Sequence, residues 1–399
     1  MIKNVLRISM LALIFSSSLV FAGNYEVHDI NTAPQTSLYQ ARKIHTIDIP
    51  QEVISKVNSS DFKGINDADE VLICFDVDKK REFVIWSKSN PLLLVYKCHY
   101  TIAKLTNNGT VLGVFEGETL PSGVLSPQKP SIWTKEKGLQ KLDIDNQLPK
   151  AINTSAYGGV FPTRLIDDNA LGQIIGSYTT KDGRSRAFIF ENGKAKDFDI
   201  DNDVYACGYQ VMNIYVKQIN NRGSILGVLD YGHKHPLKNT WIKEGTLNFF
   251  WDGHILLIDL DVPFEERYKL HIEGMNNNDE ILSCMLDWSS SGEFNPKTYI
   301  WRPNEGRSLL LEGYRPYSYC YSTHRAFNDH GQMLVCDAFN RTLLFDNGVF
   351  IEIEDLIKSS NIQTPQELSL NNNGAIAGRG SLWGESHVFI LRPDKKSDA

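Results

Sequence analysis

The 399-residue sequence lacks several features that would assign it to a common functional class. It has no excess of positive charge, and the formal net charge of -7 argues against nucleic acid or anionic lipid as a partner. No proline-, glycine- or serine-rich linker divides it, and no Walker loop, nucleophile elbow or dinucleotide fingerprint occurs. The sequence therefore predicts no catalytic residue, cofactor or metal ligand, and it favours a non-enzymatic protein.

Long hydrophobic runs are also missing, apart from one at the N-terminus. Residues 1–22 are typical of a secretion signal, with Lys3 and Arg7 before an apolar stretch and a small-residue cleavage site ending at Ala22. Ser16 begins a serine run that interrupts this stretch, leaving it short of the roughly 20 residues of a membrane span. We therefore predict cleavage after Ala22 and a secreted or periplasmic protein with no integral membrane segment.

The mature chain is predicted to form one domain. Residues 23–43 are interpreted as a leader arm, 44–392 as the domain and 393–399 as a flexible tail. Repeats that span the whole of 44–392 favour a single ring over two or more domains.

A short turn motif recurs from end to end. Residues 220–227 read NNRGSILG, and numbering the first of them zero gives Gly at position three, β-formers at five and six, and Gly at seven. Such a turn between apolar runs predicts a hairpin. Copies are spaced 40 to 63 residues apart, as expected for the blades of a β-propeller. They start at Asn66, Thr106, Asn169, Asn220, Asn276, Asn328 and Asn371.

Two positions of the motif carry structural predictions. Position three is Gly in five copies, whereas Asp69 and Asp279 replace it in two; Gly and Asp both tolerate the left-handed backbone that the turn requires. At position seven, inside a strand, Gly predicts the close approach of a neighbour, and an aromatic residue of the next strand is expected to cover it.

Each hairpin is followed by an apolar run ending in an aromatic residue and then by a short segment ending in an acidic residue. That pattern predicts four strands per unit, as in a propeller blade. The fourth strands are expected at 142–144, 198–200, 258–260 and 353–356. Equivalent tryptophans are interpreted as core between blades: Trp86, Trp133, Trp251 and Trp301.

The two ends of the chain predict closure of a ring. The last unit stops after residues 388–391, before a fourth strand, and residues 44–50 supply a segment of the missing kind. Pairing these ends would remove the open sheet edges. We predict an all-β fold, a β-propeller of about seven four-stranded blades closed by the N-terminal strand, with six or eight blades as alternatives.

The chain resembles the HAF-repeat extracellular proteins. The resemblance rests on the turn element at 106–113, 220–227 and 371–378 and on the segments AFIF at 187–190 and HVFI at 387–390. Ile73, Ser283 and Val335 depart from it at position seven. The resemblance covers nearly the whole mature chain and implies a β-propeller-like fold, without implying an activity.

Six cysteines in an exported chain are compatible with disulfides. Cys74 is related to Cys98 in the repeat frame as Cys284 is to Cys320, which favours these two bridges. Cys336 competes for Cys320, and buried free thiols are the alternative to any bridge.

Two segments resemble metal sites in part and are interpreted as solvated loops. Residues 197–203 alternate carboxylates as in a calcium loop, but Asn202 and Gly208 stand where that loop needs Gly and Glu. His233 and His235 lie two apart, without the further ligands that zinc requires.

Two more groups lie near the sixth turn. Ser322, Thr323, His324, Asp329 and His330 include the residue types of nucleophilic catalysis, but the last two fall in turn positions that are polar in every copy. We interpret them as structural.

A cluster of tyrosines falls outside the repeat and predicts a ligand surface, because exposed aromatic clusters are enriched where proteins bind. Its members are Tyr314, Tyr317, Tyr319 and Tyr321, next to Arg315 and Pro316.

The function predicted from these features is binding. Insertions at 114–130, 145–164, 228–247 and 286–297 would form loops on a rigid ring that recognise a protein or glycan ligand. The alternative is an extracytoplasmic hydrolase or lyase, with ionisable groups from different blades converging at the mouth of the channel. The ligand and the oligomeric state are not encoded in any motif that we recognise.

Overall fold

The computed structural model describes residues 43–46, 59–77, 80–87, 90–98, 102–115, 129–144, 146–148, 163–200, 210–234, 241–262, 267, 269–286, 295–317, 326–357, 362–382 and 385–393. All of them belong to one unit, residues 35–399. The predicted signal segment lies outside the described residues, as do nearly all of the predicted leader arm and most of the tail.

These residues form strands in the order of the chain. Blade one has Ser59–Ile65 (β2), Val71–Val77 (β3), Lys80–Ser87 (β4) and Asn90–Cys98 (β5). Blade two has Ile102–Leu105 (β6), Val111–Phe115 (β7), Lys129–Thr134 (β8) and Gly138–Lys141 (β9). Blade three has Thr163–Asp168 (β10), Ile174–Thr179 (β11), Ser185–Glu191 (β12) and Lys194–Phe198 (β13). Blade four has Val211–Ile219 (β14), Ile225–Lys234 (β15), Trp241–Trp251 (β16) and Ile255–Leu257 (β17).

The remaining blades follow the same plan. Blade five has Leu270–Met275 (β18), Ile281–Met285 (β19), Lys297–Arg302 (β20) and Gly306–Glu312 (β21). Blade six has Arg315–Pro316 (β22), Met333–Cys336 (β23), Thr342–Asp346 (β24) and Val349–Glu352 (β25). Blade seven has Gln363–Leu370 (β26), Ile376–Leu382 (β27), Glu385–Arg392 (β28) and, from the N-terminus, Lys43–Thr46 (β1). A 3-10 helix, Ile258–Asp261, follows β17, and helix α1, Ile353–Ile357, follows β25.

The strand order confirms the predicted fold: the described residues form seven four-stranded antiparallel sheets, a seven-bladed β-propeller. The N-terminal strand β1 pairs with β28, with Lys43 opposite Arg392 and Thr46 opposite Phe389. The first and last strands of the domain therefore share one blade, as the missing fourth strand of the last repeat predicts.

The apolar core lies between the blades. Seven hydrophobic clusters are found among the described residues, and each joins two neighbouring blades. Phe83 of blade one meets Trp133 of blade two edge to face with ring centroids 6.0 Å apart, and Phe250 meets Trp301 at 5.8 Å. Trp86, like Trp133 and Trp301, is at least nine-tenths buried, which confirms these tryptophans as core.

Glycine at position seven has the predicted role in blades three and four, whereas a Cβ on Gly378 of blade seven would meet Leu368 of the preceding strand at 2.4 Å. A Cβ on Gly176 would lie 2.3 Å from the ring of Phe188, and a Cβ on Gly227 would lie 2.3 Å from the ring of Phe249. Both phenylalanines belong to the next strand and are fully buried. The flat backbone at Gly therefore receives an aromatic ring that any side chain would displace.

The two faces of the propeller differ in their connections. Because successive strands are antiparallel, the turns between first and second and between third and fourth strands share one face, here called the turn face. Turn-face connections contain two to five residues in every blade except the sixth. The other connections start and end on the opposite face, here called the loop face, and they reach 21 residues between β9 and β10.

The predicted positions of the fourth strands are wrong in detail. The acidic segments at 258–260 and 353–356 form the 3-10 helix and helix α1, the segment 142–144 follows the end of β9, and only Phe198 of 198–200 belongs to β13. Asp259 accepts hydrogen bonds from the backbone N–H and the side-chain amide of Asn248, which turns the chain out of the sheet. The insertion 228–247 lengthens β15 and β16 into a tall hairpin, so most of it is sheet and not loop.

Candidate functional site

The motif's first residue builds the turn. Asn220 donates its N–H to the Ser224 carbonyl and accepts the N–H of Gly223 on its own carbonyl, both at 3.0 Å. Its Oδ1 accepts the N–H groups of Arg222 and Ser224, also at 3.0 Å. One asparagine thus satisfies the polar groups that the reversal of the chain would otherwise bury.

The same side chains join the blades. The Nδ2 of each motif asparagine donates to the carbonyl of the corresponding residue in the next blade at 2.9 to 3.3 Å. We call the seven leading residues the amide ring, and all are at most 4% exposed. Its members are Asn66, Thr106, Asn169, Asn220, Asn276, Asn328 and Asn371. The bond from Asn371 to the Asn66 carbonyl, at 2.9 Å, closes the circle of blades around the axis.

A second circle of bonds runs beside the first. The N–H at position one of a blade donates to the side-chain oxygen at position one of the next blade, at 2.7 to 3.2 Å in six junctions. Asp329, for example, receives the N–H and the Nδ2 of Asn277 at 2.7 Å each. Polar residues at this position are therefore structural.

Each Nδ2 group of the amide ring has a second N–H, and its acceptor explains why two blades have Asp at position three. Asn66, Asn169, Asn276 and Asn328 donate it to a Glu or Gln at position four of their own turn, at 2.8 Å. Blades four and seven have Ser224 and Ala375 there instead. In these blades the acceptor is the aspartate of the following blade: Asp279 at 2.7 Å and Asp69 at 2.8 Å.

The junction between blades two and three is built differently. Thr106 has no amide to donate, and Ala170 has no oxygen to receive the N–H of Asn107. Asn108 instead donates to the Asn169 carbonyl at 3.1 Å. Lys104 forms an ion pair of 2.5 Å with Asp167, whose side chain is 1% exposed. The other Asp167 oxygen accepts the Ile219 N–H of blade four at 3.2 Å, so this carboxylate ties three blades together.

The amide ring surrounds the turn-face mouth of the central channel. The mouth is lined by polar side chains and by the ends of the first strands. Its lining includes Asn107, Asn221, Asn277, Asp329 and Asn372. Because these groups already bond one another across the junctions, the mouth offers few polar groups to a ligand.

A different set of groups lies on the channel wall of blades four and five. Along β14, Ile214 and Val216 are buried, whereas Tyr215 and Lys217 between and after them are exposed. Lys217 lies at a β-bulge, where the register shifts between Val216 and Gln218. Its Nζ reaches the Ile272 carbonyl of β18 at 3.5 Å.

The wall groups influence one another electrostatically. Burial lowers the pKa of Lys217 below its ordinary range, while Glu273 and Asp259 oppose the shift. Burial, with Lys217, also lowers the pKa of His271. A lysine that reaches solvent and is nevertheless desolvated is surrounded by protein on most sides, as on a channel wall. We call Lys217, His271 and Glu273 the wall cluster.

The candidate calcium segment does not assemble a site in the part that is described. Asp197 accepts the hydroxyl of Tyr178 at 2.8 Å, while Asp199 is exposed. Asp201 and Asp203 lie outside the described residues. Over the ranges that the structure describes, no three His, Cys, Asp or Glu side chains come together as metal ligands.

The candidate histidines are separated. His233 lies at the far end of β15 and pairs with Glu244 at 2.7 Å, and His235 is not among the described residues. His330 donates its N–H to Asn328 within the sixth turn. Asp329 belongs to the second circle of bonds, whereas Ser322, Thr323 and His324 lie outside the described part.

The tyrosine cluster is divided between packing and segments that are not described. Tyr317 is 8% exposed and belongs to the core between blades six and seven. Tyr314 stacks on Phe350 with ring centroids 4.5 Å apart. Tyr319 and Tyr321 lie outside the described residues, so the predicted surface stays a prediction there.

The predicted Cys74–Cys98 disulfide is wrong. Cys74 lies on β3 and Cys98 on β5, with β4 between them. Two strand spacings are about 10 Å, beyond the reach of a disulfide. Cys284 is a buried free thiol whose pKa burial raises to about 12. Cys336, like Cys284, forms no disulfide in the described structure, so the predicted bridges of either residue to Cys320 are wrong as well.

The loop face carries one feature that the motif search missed. Residues 337–341, between β23 and β24, repeat the turn chemistry: Asp337 Oδ1 accepts the N–H groups of Phe339 and Arg341 at 2.9 Å. Asn340 adopts a φ of 60° and accepts Arg315 Nη2 at 2.7 Å. This braced turn leaves Phe339 82% exposed, with the Arg341 guanidinium 5.9 Å from its ring.

Sequence reasoning missed the wall cluster and Phe339 because neither follows the repeat. His271 and Phe339 give no repeated signal in the sequence, and Lys217 shares its position, three residues before the motif, with Lys63 of blade one. Among the described residues, no helix has the length and apolar character needed to cross a membrane.

The chain is similar to several solved structures at low sequence identity. No family model and no curated protein matches the chain. The β-propeller domain of the Trilobed protease from Pyrococcus furiosus aligns with a TM-score of 0.43 and 11% identity, covering 72% of this chain and 80% of that one. Polysaccharide lyase Uly1 aligns at 0.41 and 8% over 83% and 90%. An acylaminoacyl peptidase aligns at 0.42 and 10% over 81% and 50%.

Proposed function

We propose that the mature chain is an exported binding module that takes a protein or glycan ligand on its loop face. The observation that carries the proposal is the asymmetry of the two faces. Turn-face connections are short in every blade except the sixth, and their asparagines bond one another, whereas the loop face carries the 21-residue connection between β9 and β10. Rigid scaffolds commonly carry recognition on such variable connections.

Export is supported by the secretion-type segment at 1–22 and by the resemblance to HAF-repeat extracellular proteins. The acidic balance of the chain favours ligands other than polyanions.

Phe339 is the residue on which we place the contact. An exposed aromatic side chain beside an arginine has the composition of an interface hot spot. The turn that holds it is fixed by Asp337, so little conformational freedom is lost when a ligand covers the ring.

The test compares two exposed apolar residues on opposite faces. Phe339 lies on the loop face and is 82% exposed, and Leu171 lies in a turn-face turn and is 60% exposed. The mature protein, Phe339→Ser and Leu171→Ser are screened against arrays of extracellular proteins and glycans. Every ligand that binds the unsubstituted protein is then measured with all three.

Phe339→Ser should weaken binding about 10-fold or more, since a hot-spot aromatic contributes on the order of 2 kcal/mol, and Leu171→Ser should leave it unchanged. Equal binding by all three proteins, or a loss with Leu171→Ser alone, would contradict the assignment to the loop face. Thermal melts of both variants establish that they fold.

A further inference from the structure

Four Asn–Gly dipeptides lie in turns of the propeller, and all four asparagines are exposed. Asn108 and Asn373 stand at position two of the motif turn in blades two and seven, whereas Asn192 and Asn347 connect the third and fourth strands of blades three and six. Because the two residue types and the exposure of the asparagine are the same at all four places, the fold differs mainly in how it bonds the reactive groups.

The motif turns occupy both groups of the dipeptide that can react with each other. The Gly109 N–H donates to the Thr106 carbonyl at 3.0 Å, and the side-chain amide of Asn108 donates across the junction to the Asn169 carbonyl at 3.1 Å. Equivalent bonds hold Asn373 in blade seven. Attack of the glycine nitrogen on the asparagine side chain would break both bonds, so these two sites are protected.

The turn of blade three leaves the same two groups unbonded. Asn192 and Gly193 form a two-residue connection with φ values of 53° and 76°. Over the ranges that the structure describes, neither the Gly193 N–H nor the Asn192 side-chain amide has a hydrogen-bond partner. Gln147 binds the other side of the turn, because its Nε2 donates to the Gly193 carbonyl at 3.2 Å and its Oε1 accepts the Ala195 N–H at 2.7 Å. These bonds do not involve the reacting nitrogen or the amide that would leave.

The turn of blade six is intermediate between these cases. Asn347 and Gly348 have the same left-handed backbone, with φ values of 49° and 80°. The Gly348 N–H has no partner among the described residues, but the Asn347 side-chain amide donates to Asp346 at 2.8 Å. One of the two groups is therefore bonded here.

We propose that Asn192 is a modification site, at which the folded protein forms a cyclic imide with Gly193 and converts to isoaspartate and aspartate. The Gly193 nitrogen attacks Cγ of Asn192, the bond from Cγ to Nδ2 breaks, and ammonia leaves with the proton that Gly193 loses. Water then opens the imide at one of its two carbonyls, which gives aspartate or isoaspartate. Glycine favours the attack because no Cβ hinders the approach of the two residues. This chemistry is independent of ligand binding on the loop face.

The modification acts on a contact between blades two and three. Isoaspartate places Cβ of residue 192 in the main chain and so lengthens the turn by one atom, which displaces the Gly193 carbonyl from Gln147. Gln147 follows β9 of blade two and binds the outer strand β13 of blade three. We therefore expect the Ala195 N–H to lose its acceptor when Asn192 is converted.

Ageing of the mature protein at mildly alkaline pH in oxygen-18-labelled water tests the proposal. Peptide mass spectrometry gives the rate of amide loss at each asparagine, and an isoaspartyl methyltransferase with a labelled methyl donor identifies the isoaspartate. Conversion at Asn192 should be at least about 10-fold faster than at Asn108 and Asn373, where two hydrogen bonds must first be broken. Asn347 should fall between them.

The same chain unfolded in concentrated urea is the control, because all four dipeptides should then react at similar rates. An Asn108 or Asn373 rate in the folded protein that equals the Asn192 rate overturns the proposal. A difference that persists unchanged in urea also overturns it, since the local sequence would then be the cause.

Asn192→Gln supplies a matched variant, because glutamine keeps the amide but would have to close a larger ring. It should abolish conversion at residue 192 and leave the rate at Asn347 unchanged, with thermal melts establishing that it folds. Hydrogen exchange of the Ala195 amide should be faster in the aged unsubstituted protein than in the aged variant. Equal exchange in the two would overturn the expected release of Gln147.

Discussion

The blades are joined by two kinds of junction. Six of the seven junctions share one arrangement of hydrogen bonds, and the junction between blades two and three has another. In the six, a buried asparagine and a position-one side chain carry the bonds from blade to blade. In the seventh, Thr106 and Ala170 remove both devices at once, and Asn108 with the Lys104–Asp167 pair replaces them. A lost amide is thus compensated within its own junction, which indicates that each junction must be satisfied separately for the ring to close.

The largest effect is expected from removing a ring amide. Asn371 is fully buried; its Oδ1 accepts two N–H groups and its Nδ2 donates to Asn66 and Asp69. Asn371→Ala leaves several buried polar groups without partners, at about 1–3 kcal/mol each, and should lower the free energy of unfolding by roughly 3–5 kcal/mol. Urea denaturation measures it.

Asn373→Ala is the control in the same turn, because Asn373 is exposed and makes one side-chain bond across the junction. It should cost less than about 1 kcal/mol. Equal costs for the two variants would show that the ring amides are not what holds blade seven to blade one.

The next effect concerns the replacement device. Asp167→Asn removes the charge facing Lys104 from a site that is 1% exposed at the carboxylate. Breaking this pair should lower the free energy of unfolding by about 2–3 kcal/mol. The loss is smaller than for a fully buried pair because Lys104 remains 21% exposed. Glu312→Gln breaks the exposed pair with Lys297 and should cost no more than about 0.5 kcal/mol. A similar small cost for Asp167→Asn would show that the pair does not support its junction.

Much of the fold could be predicted from the sequence because its signals are local and repeated. Asn at position zero and Gly at position three predict a turn, and seven copies of the motif predict seven blades. Hydrogen bonds between side chains of different blades could not be predicted. The bond of Asn220 to Asp279 joins residues 59 positions apart, and the sequence around either residue does not indicate its partner. The exposed Lys217 lies at a bulge that recurs three residues before the motif in the first strands of blades one to five. The residues at this position have no common property from which the bulge could be predicted: Lys63, Ala103, Ile166, Lys217 and Glu273.

The aspartates at position three allow a test of whether one hydrogen-bond acceptor can replace another. Asp279→Gly removes the acceptor for Asn220 and should cost about 1 kcal/mol. Adding Ser224→Glu gives blade four the position-four acceptor that other blades have, and it should recover most of that loss. A double-mutant cycle on denaturation midpoints should give a coupling energy of about 1 kcal/mol. Strictly additive effects of the two substitutions on the free energy of unfolding would show that an acceptor at position four does not replace Asp279.

A substitution that makes the junction between blades two and three more like the other six should stabilise the protein. Ala170→Asn supplies the oxygen that the N–H of Asn107 lacks at position one, and it should raise the free energy of unfolding by about 0.5–1.5 kcal/mol. Ala170→Leu, similar in size but without an oxygen, is the matched control at the same position and should give no such gain. A gain with Ala170→Leu equal to that with Ala170→Asn would show that the effect does not come from a bond across the junction.

The smallest effect is expected on the channel wall, where Lys217 takes no part in either circle of bonds. Since its pKa is lower in the folded state, the unfolded chain binds more protons between that value and the ordinary lysine pKa of about 10.4. The stability of the unsubstituted protein should therefore rise with pH through this window, relative to Lys217→Met, and the relative gain is lost as pH falls. Denaturation of both proteins at pH 7, 9 and 10 measures the difference, in which the titration of shared groups cancels. A difference that stays constant, or that moves in favour of Lys217→Met with rising pH, would show that the folded protein does not penalise the charged amine.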